Sequence, residues 1–246
     1  PSGKVIVART VAVQEFVKWG ERDYGRPARN AKVGMLPPKL ARMMVNISQA
    51  PQGSAILDPF CGSGTVLQEA ALVGYKKLLG VDADERGVKR SQQNFTWLQE
   101  RYPHLAGILP ELITADIKSL ADKLGKRQFE AIVTEPWLGP PLNGREAEGT
   151  RRQIQSELTD FYRTTIKILF YMLARGGRLV MVWPFLHERE YRLDLPLLEI
   201  TRQLGLKIID VLPPLVPANW RNQRGTLIYE RPGQQVGREI VVLERS

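Results

Sequence analysis

Short apolar runs alternate with amphipathic stretches between residues 55 and 212 of the chain. Apolar runs such as residues 179–183 are typical of strands that are buried on both faces. The stretches between them repeat apolar residues at helical spacing, which predicts helices with one buried face. A regular succession of such strands and helices predicts an α/β fold, in which a doubly wound, mostly parallel sheet is covered by helices on both faces.

The same pattern predicts the position of individual elements. Helices are predicted over residues 11–19, 39–48, 86–101, 151–174 and 195–205, and strands over residues 5–8, 207–212 and 226–230. Asp84 is placed to cap the helix over 86–101, and Gly176 and Gly177 to end the helix over 151–174. Residues 138–150 contain three glycines and two prolines, which predicts a mobile lid beside the site.

A turn with two glycines follows the first central strand. Residues 56–65 read ILDPFCGSGT and lead into a helical pattern, which is how an α/β nucleotide-type site begins. Because Gly62 and Gly64 lack a Cβ, a ligand can approach the backbone and the chain can adopt a positive φ. A phosphate-binding P-loop would need a lysine after the glycines, and a dinucleotide fingerprint would need Gly or Ala where Leu67 stands. The turn therefore predicts a cofactor cradle. ATP is disfavoured as its ligand, and NAD is weakly supported because the dinucleotide fingerprint is incomplete.

Three acids follow later strand-like runs. Asp82 lies 24 positions after Asp58, near the spacing at which a carboxylate meets ribose hydroxyls. Asp116 follows the run over 111–115, and the strand over 129–134 delivers Glu135 and its neighbours. Asp82 and Asp116 could instead cap helices, although Asp84 fits that role better and leaves Asp82 free for a ligand.

These segments resemble the class I S-adenosylmethionine-dependent methyltransferases that act on amino groups. The resemblance implies a Rossmann-like sheet with an antiparallel last strand and S-adenosylmethionine as cofactor, with S-adenosylhomocysteine as product. It also implies a tetrapeptide of the type (D/N/S)-P-P-(Y/F/W) that holds the target base. Here that tetrapeptide reads Thr134, Glu135, Pro136, Trp137. It departs from the pattern because its acid is a glutamate and its first position is a threonine.

A closer resemblance covers nearly the whole chain. Residues 22–27 (RDYGRP) and 34–41 (GMLPPKLA), together with DPFCGSGT, GVDAD and TEPWLGP, resemble the catalytic half of the tRNA guanosine-10 N2-methyltransferases. Members of that family usually carry an N-terminal THUMP-type RNA-binding module, for which this chain has no room. The resemblance leads us to expect a fragment or a naturally short member, with residues 1–50 as a basic extension packed on a catalytic domain over 51–246.

The resemblance implies a role for each residue of these motifs. The catalytic set is Thr134, Glu135, Pro136 and Trp137. The cofactor-binding set is Asp58, Pro59, Phe60, Cys61, Gly62, Ser63, Gly64, Thr65, Asp82, Ala83, Asp116 and Ile117. The glycine turn would hold the methionine part of the cofactor, Asp82 the ribose, and Asp116 the adenine amino group.

The chemistry expected of Glu135 follows from the target. An exocyclic amine conjugated with a purine is a poor nucleophile, so its nitrogen must be drawn toward sp³ and aimed at the methyl group. A carboxylate that accepts one N–H, with the Thr134 or Pro136 carbonyl accepting the other, would do this and could take the released proton. Trp137 offers a ring on which a base can stack. In a chain without the other motifs, we would interpret Glu135 as a solvated loop acid and Trp137 as a core aromatic.

Composition limits the remaining possibilities. One cysteine and two histidines allow no intramolecular disulfide and supply no metal cluster, and Cys61 fits a packing role better than that of a nucleophile. No leader and no apolar run long enough for a membrane span are present, so we expect a cytoplasmic protein that does not bind a membrane.

The net charge of +9 is concentrated at both ends of the chain. Residues 1–50 hold 9 Lys and Arg against 3 Asp and Glu, and residues 151–246 hold 15 against 10. Basic flanks fit a polyanionic partner such as tRNA, although surface charge can also serve solubility alone. The candidate RNA-binding residues are Arg26, Arg29, Lys32, Arg221 and Arg224, with a separate or missing RNA-binding module supplying further contacts.

Three hypotheses follow. The favoured one is a methyltransferase that acts on the N2 amine of a guanine in tRNA. A DNA amino-methyltransferase, acting on adenine N6 or cytosine N4, uses the same tetrapeptide but normally carries a target-recognition insert that this chain lacks. A catalytically inactive protein that binds the cofactor or RNA is supported only by the departure of the tetrapeptide.

Overall fold

A computed structural model of the chain describes residues 5, 7–29, 35–187, 192–193, 195–212, 216, 224–231 and 233–246. The helices are α1 Phe16–Tyr24, α2 Pro38–Ser48, α3 Thr65–Val73, α4 Glu85–Arg101, α5 Leu120–Leu124, α6 Glu148–Met172 and α7 Leu198–Gln203, with short 3₁₀ turns at Pro103–Leu105 and Ile117–Ser119. The strands are β1 Ala55–Asp58, β2 Lys77–Asp82, β3 Glu111–Thr114, β4 Phe129–Thr134, β5 Leu173–His187, β6 Arg192–Leu193, β7 Leu206–Ile208, β8 Leu227–Tyr229 and β9 Val236–Arg245.

The described strands form one mixed sheet in the order β3-β2-β1-β4-β5-β9-β7. Strands β1 to β5 are parallel to one another, whereas β9 runs antiparallel to β5 and to β7, and the short strands β6 and β8 pair antiparallel with β5 and β9. The strand order reverses between β1 and β4, and ligands of open α/β sheets bind beyond the carboxyl ends of the strands at such a point. The predicted parallel sheet with an antiparallel last strand is confirmed.

Alternate residues of the central strands enter two different hydrophobic cores. In β1, Ile56 belongs to one core and Leu57 to the other, and β9 divides Ile240 and Val241 in the same way. Helices α2, α3 and α4 contribute to the core that contains Ile56, and α5 and α6 contribute to the core that contains Leu57. Because both faces of the sheet are covered, its strands are apolar at successive positions, which is the pattern that predicted them.

The first predicted elements are displaced in the structure. Residues 5, 7 and 8 have no strand structure, and the first helix is Phe16–Tyr24 instead of residues 11–19. Val11 and Val13 are 89% and 77% exposed. Their apolar spacing therefore did not mark a buried helix face, because no part of the chain that the structure describes packs against it.

The predicted end of the long helix was wrong. Helix α6 ends at Met172, and Gly176 and Gly177 lie within β5 instead of capping the helix. Strand pairing shifts here, because Phe129 faces Leu173 while Ala131 faces Arg178. A Cβ on Gly177 would come within 3.1 Å of two carbonyl oxygens of β4. The glycine pair therefore allows a bulge against β4.

The carboxyl-terminal part was predicted less completely than the centre. Helix α7 and strands β7 and β8 are shorter than predicted, and the ten-residue strand β9 was missed. Strand β9 contains Arg238 and Glu239, which interrupt its apolar pattern. It pairs with β5 over nine residue pairs and with β7 on its other side, so it is an interior strand of the sheet.

Ion pairs fasten the amino-terminal helices to α3. Glu69 of α3 is 1% exposed and accepts a hydrogen bond from Arg22 at 2.6 Å and another from Arg42 at 2.8 Å. Met44 and Val45 of α2 are fully buried in the core that α3 also enters. Arg22 of α1 and helix α2 therefore pack as part of the α/β fold, while the domain boundary at residue 50 stays a prediction. Among the described residues, no helix is both long and apolar enough to cross a membrane.

Candidate functional site

A cleft of about 340 Å³ opens beyond the carboxyl ends of β1, β2 and β4. It lies where the strand order reverses, which is the expected place for a ligand site in this type of sheet. The structure brings the glycine turn, Asp82 and the segment after β4 together around this cleft. Its lining consists of Met35, Leu36, Asp58, Phe60, Cys61, Gly62, Ser63, Thr65, Val66, Asp82, Arg90, Glu135, Pro136, Trp137, Leu138, Gly139 and Arg238.

The two glycines of the turn have different roles. Gly62 has φ +51°, and among the described residues a Cβ built on it would meet only Asp82, at 4.0 Å, so no described side chain blocks approach to its backbone. Gly64 has φ +80°, and a Cβ there would lie 2.3 Å from Ser91 Oγ on α4. Gly64 is also absent from the cleft lining. Gly62 therefore permits ligand approach, whereas Gly64 permits the close packing of α3 and α4.

Asp82 ties the glycine turn to the end of β2. Its Oδ2 accepts a hydrogen bond from the Gly62 N–H at 2.8 Å, and its Oδ1 accepts one from the Asp84 N–H at 2.8 Å. Each carboxylate oxygen has a second lone pair, so Asp82 can still accept hydrogen bonds from a ligand in the cleft. The predicted N-cap is formed by Asp84, whose side chain accepts from the Arg86 N–H.

Asp58 is a buried carboxyl in the cleft wall, only 2% exposed. Its Oδ1 accepts hydrogen bonds from the Thr134 hydroxyl at 2.7 Å and from the Phe60 N–H at 3.2 Å. Burial raises the pKa of Asp58 to about 7 despite these hydrogen bonds, which lower it. Thr134 itself is fully buried and does not line the cleft, so its hydroxyl serves Asp58. The cleft-facing part of the tetrapeptide begins at Glu135.

Glu135 is paired with an arginine that the sequence analysis missed. The Glu135 carboxylate oxygens accept hydrogen bonds from Arg238 Nε at 2.5 Å and from Arg238 Nη2 at 3.4 Å. The side chain of Glu135 is 12% exposed and that of Arg238 is 10% exposed. Burial alone would lower the pKa of Arg238, but the charge and hydrogen bonds of Glu135 raise it overall. Both residues line the cleft, so it presents an acceptor directly beside a donor.

Trp137 stands at the rim of the cleft with 45% of its surface exposed. Phe161 of α6 contacts it edge to face, with ring centroids 5.9 Å apart, and Phe161 contacts Phe60 in the same way at 5.7 Å. These contacts fix the position of the indole ring while leaving part of its surface open. A planar ring could therefore stack on Trp137.

Other predicted cofactor residues lie outside the cleft lining. Asp116 is exposed and caps a 3₁₀ turn through the Lys118 N–H at 2.8 Å, and Ile117 is buried beneath it. Ala83 is exposed and Pro59 is buried. Cys61, by contrast, does line the cleft but is only 4% exposed. Burial raises the pKa of its thiol well above the ordinary value, which fits the predicted packing role.

The five predicted RNA-binding residues are not equivalent. Arg26 is 3% exposed and donates from Nη1 to the Thr65 hydroxyl at 2.6 Å, so it is not available to RNA on the surface. Arg224 is bound to Glu239 at 2.8 Å, whereas Arg29 is exposed, with its guanidinium 4.8 Å from the centre of the Tyr24 ring. Lys32 and Arg221 lie outside the described residues.

Arg238, Arg90, Met35 and Leu138 are cleft residues that the sequence analysis did not identify. Met35 and Leu138 belong to the motifs GMLPPKLA and TEPWLGP, although no site role was predicted for them. Arg238 left a different signal, because a charged pair, Arg238 and Glu239, interrupts an apolar strand pattern. Within the described part of the chain, no three His, Cys, Asp or Glu side chains are grouped as a metal site would require.

Comparisons with known proteins agree with this geometry. Residues 26–193 match the family described as RMKL-like, methyltransferase domain. The tRNA (guanine(10)-N2)-dimethyltransferase of Methanothermobacter thermautotrophicus is 34% identical over 162 residues, which cover 65% of this chain and 42% of that protein. A protein of Methanothermococcus thermolithotrophicus named "Probable tRNA (guanine(10)-N2)-dimethyltransferase" is 32% identical over 66% of this chain and 87% of its own length.

A solved structure shares the fold across most of the chain. TrmN from Thermus thermophilus superposes with a TM-score of 0.57 at 18% identity, covering 96% of this chain and 55% of that one. The chain spans less than half the length of the Methanothermobacter relative. On the extent of the family match and the similarity to the Methanothermococcus protein, this chain belongs to the RMKL-like methyltransferase domain family.

Proposed function

We propose that this chain uses S-adenosylmethionine to methylate the exocyclic N2 amine of a guanine in tRNA. The observation that carries the proposal is that Glu135, Trp137 and the open backbone of Gly62 share one cleft. That arrangement suits a small cofactor held on one side and a base held on the other. The names of the relatives supply the substrate and the target atom.

Three features of the cleft fit this cofactor. The open backbone of Gly62 allows close approach, and Asp82 offers oxygens of the kind that bind ribose hydroxyls. Behind Thr65 of the cleft lining, the Nε and Nη2 groups of buried Arg26 have no hydrogen-bond partner among the described residues, and a carboxylate at this end of the cleft would suit their charge. The contact of Asp116 with the adenine stays a proposal, supported only by the resemblance.

When bound, the cofactor would supply a methyl group on an electrophilic sulfonium. Glu135 would accept an N–H of the target amine and so direct the nitrogen lone pair. Arg238 takes up one acceptor position on each Glu135 oxygen, and a carboxylate oxygen has two. The ion pair therefore holds Glu135 in place, compensates its charge and leaves acceptor positions for the amine. Orientation of this kind supplies much of the rate when the electrophile is already reactive.

Pro136 and Trp137 would position the base. The proline ring restricts φ, so the carbonyl groups of this segment keep their direction. The exposed part of Trp137 would carry the flipped-out or unpaired base by stacking, which is worth about 1–3 kcal/mol per base. Arg29 is the exposed, described candidate for a phosphate contact. We propose further that the chain acts on tRNA in the cytoplasm and that a separate RNA-binding module supplies additional contacts.

The experiment is transfer of labelled methyl from S-adenosylmethionine to an unmodified tRNA transcript, with duplex DNA in parallel and nucleoside analysis of the product. We expect label in N2-methylguanosine or N2,N2-dimethylguanosine. Label in DNA would favour a DNA amino-methyltransferase. No label in either, while S-adenosylhomocysteine still binds, would favour a catalytically inactive binding protein.

Glu135→Gln tests the central residue. A neutral amide keeps the size of the side chain but weakens both the pairing with Arg238 and the acceptance of the amine N–H. We expect turnover to fall about 100-fold or more, with the affinity for S-adenosylhomocysteine kept. Glu157→Gln, at an exposed position of α6, is the matched control. Equal turnover of the two variants would contradict the assigned role.

A further inference from the structure

A groove lies beside helix α1, outside the cleft. It consists of two adjoining cavities of about 340 and 130 Å³, and both are lined by Asp23, Tyr24, Pro37 and Arg231. One face of α1 forms its wall, because Phe16, Trp19, Gly20, Asp23 and Tyr24 are three or four positions apart and all line it. We call this surface the α1 groove; its remaining described lining residues are Arg29, Met35, Pro38, Lys39, Leu40 and Tyr229.

The α1 groove combines exposed aromatic rings with cations. Phe16 and Tyr24 are 73% and 66% exposed, and the Arg29 guanidinium lies 4.8 Å from the centre of the Tyr24 ring. Arg231 donates from Nε and Nη2 to the Tyr229 hydroxyl at 3.1 and 2.9 Å. An arginine has five N–H donors, so Arg231 keeps donors for a ligand.

The charge of the groove points to an anionic occupant. Among its described lining residues, Arg29, Lys39 and Arg231 are cationic and Asp23 is the one acid. A ligand with flat apolar faces on a polyanionic backbone matches both the rings and the cations. Single-stranded nucleic acid has this chemistry, because every base has a face that stacks and every linkage carries a phosphate.

Two connections join the α1 groove to the cleft. Met35 lines both the cleft and the smaller cavity of the groove. In addition, Tyr229 of β8 is the strand partner of Arg238 of β9. One hairpin therefore presents Tyr229 and Arg231 to the groove and Arg238 to the cleft. RNA bound in the groove would therefore lie next to the cleft that Glu135 lines.

We propose that the α1 groove binds the single-stranded RNA next to the target nucleotide, with bases stacked on Tyr24 and Tyr229 and phosphates bound by Arg29 and Arg231. The inference rests on the proposed function for the identity of the polymer. It concerns binding, so it can be tested without turnover. It places part of the RNA recognition on the catalytic fold itself.

The test is fluorescence anisotropy of the full chain with a labelled, short, unstructured oligoribonucleotide and with an unmodified tRNA transcript. Tyr24→Ala and Tyr229→Ala should each raise the Kd roughly 5-fold or more. Tyr24→Phe should bind like the parent, because it keeps the ring. Arg231→Gln should also reduce the slope of log K against log salt by about 0.7.

Tyr171→Ala is the matched control, since Tyr171 is 61% exposed on α6, away from the groove lining. It should change the Kd less than 2-fold (roughly 0.4 kcal/mol). The variants at Tyr24, Arg231 and Tyr171 should keep the parent's thermal stability and affinity for S-adenosylhomocysteine. Tyr229 is partly buried against a hydrophobic core, so Tyr229→Ala should lower the thermal stability, and its RNA binding is measured at a temperature where the variant is folded. Unchanged RNA binding by Tyr24→Ala and Tyr229→Ala would overturn the inference. Equal weakening toward duplex DNA would also overturn it, because that result indicates a general polyanion surface.

The outcome is separable from that of the proposed function. If methyl transfer to tRNA occurs and the groove variants bind RNA normally, only the groove assignment fails. If the groove variants weaken RNA binding and the parent transfers no methyl group, only the proposed function fails.

Discussion

Replacing Asp58 with asparagine should remove a large part of the pH dependence of stability. Asp58 is 2% exposed, and burial raises its pKa from about 3.8 to about 7. Its Oδ1 accepts from the Thr134 hydroxyl and the Phe60 N–H. An asparagine Oδ1 can accept both hydrogen bonds, so Asp58→Asn removes the titration and keeps the packing.

The sign follows from the raised pKa. A carboxyl that binds its proton more tightly in the folded state contributes stability that is fully present below about pH 4 and is lost as the pH rises through about 7. A shift of about three units, at 1.36 kcal/mol each, makes the whole effect about 4 kcal/mol. About 3 kcal/mol of this falls between pH 5 and pH 8.

The assay is urea unfolding of the parent and Asp58→Asn without ligand at pH 5 and pH 8. The variant's free energy of unfolding, relative to the parent's, should rise by about 3 kcal/mol from the lower to the higher pH, with similar m-values. Asp116→Asn makes the same exchange at an exposed carboxyl and should follow the parent. Thr134→Val removes a hydrogen bond that lowers the pKa of Asp58, so it should move the midpoint of the parent's stability loss above pH 7. A difference that does not vary with pH, or that falls as the pH rises, would refute the reasoning.

Four further predictions concern the two glycines of the turn, the buried ion pairs and the rim of the cleft. Gly64→Ala should destabilise by more than the 1–2 kcal/mol of a left-handed non-glycine residue, because its Cβ would lie 2.3 Å from Ser91 Oγ; Ser91→Ala should recover part of that loss in urea unfolding. Gly62→Ala should lower the free energy of unfolding by about 1–2 kcal/mol. It should also weaken the binding of S-adenosylhomocysteine, measured by calorimetry, and an unchanged affinity would argue against a cofactor at this backbone. Glu69→Gln, which leaves two arginines beside a neutral group, should cost about 3–5 kcal/mol of unfolding free energy, and a cost near zero would contradict the burial of the pair. Trp137→Ala should raise the KM for tRNA roughly 5-fold or more, whereas Trp137→Phe should keep most of the stacking.

The sequence by itself determined the central part of the fold and the location of the site. Strands β1, β2 and β4 were predictable because their apolar residues enter two cores at alternate positions. The turn after β1 and the acids after β2 and β4 are local features, since each follows directly from the strand before it. A parallel sheet then brings their carboxyl ends to one edge, which is why Gly62, Asp82 and Glu135 line one cleft.

Only the tertiary structure decided which side chains meet across the sheet. Arg238 reaches Glu135 from a strand 103 positions away, and no local pattern relates the two. Gly64 and Gly177 have the same chemistry as any turn glycine, but their neighbours, Ser91 and the β4 carbonyls, determine what each one permits. Arg26 is buried for the same reason, because Thr65 and the packing around it give a cation a place inside the fold. Periodicity shows which face of an element is buried, whereas partners distant in sequence are set by packing of the whole chain.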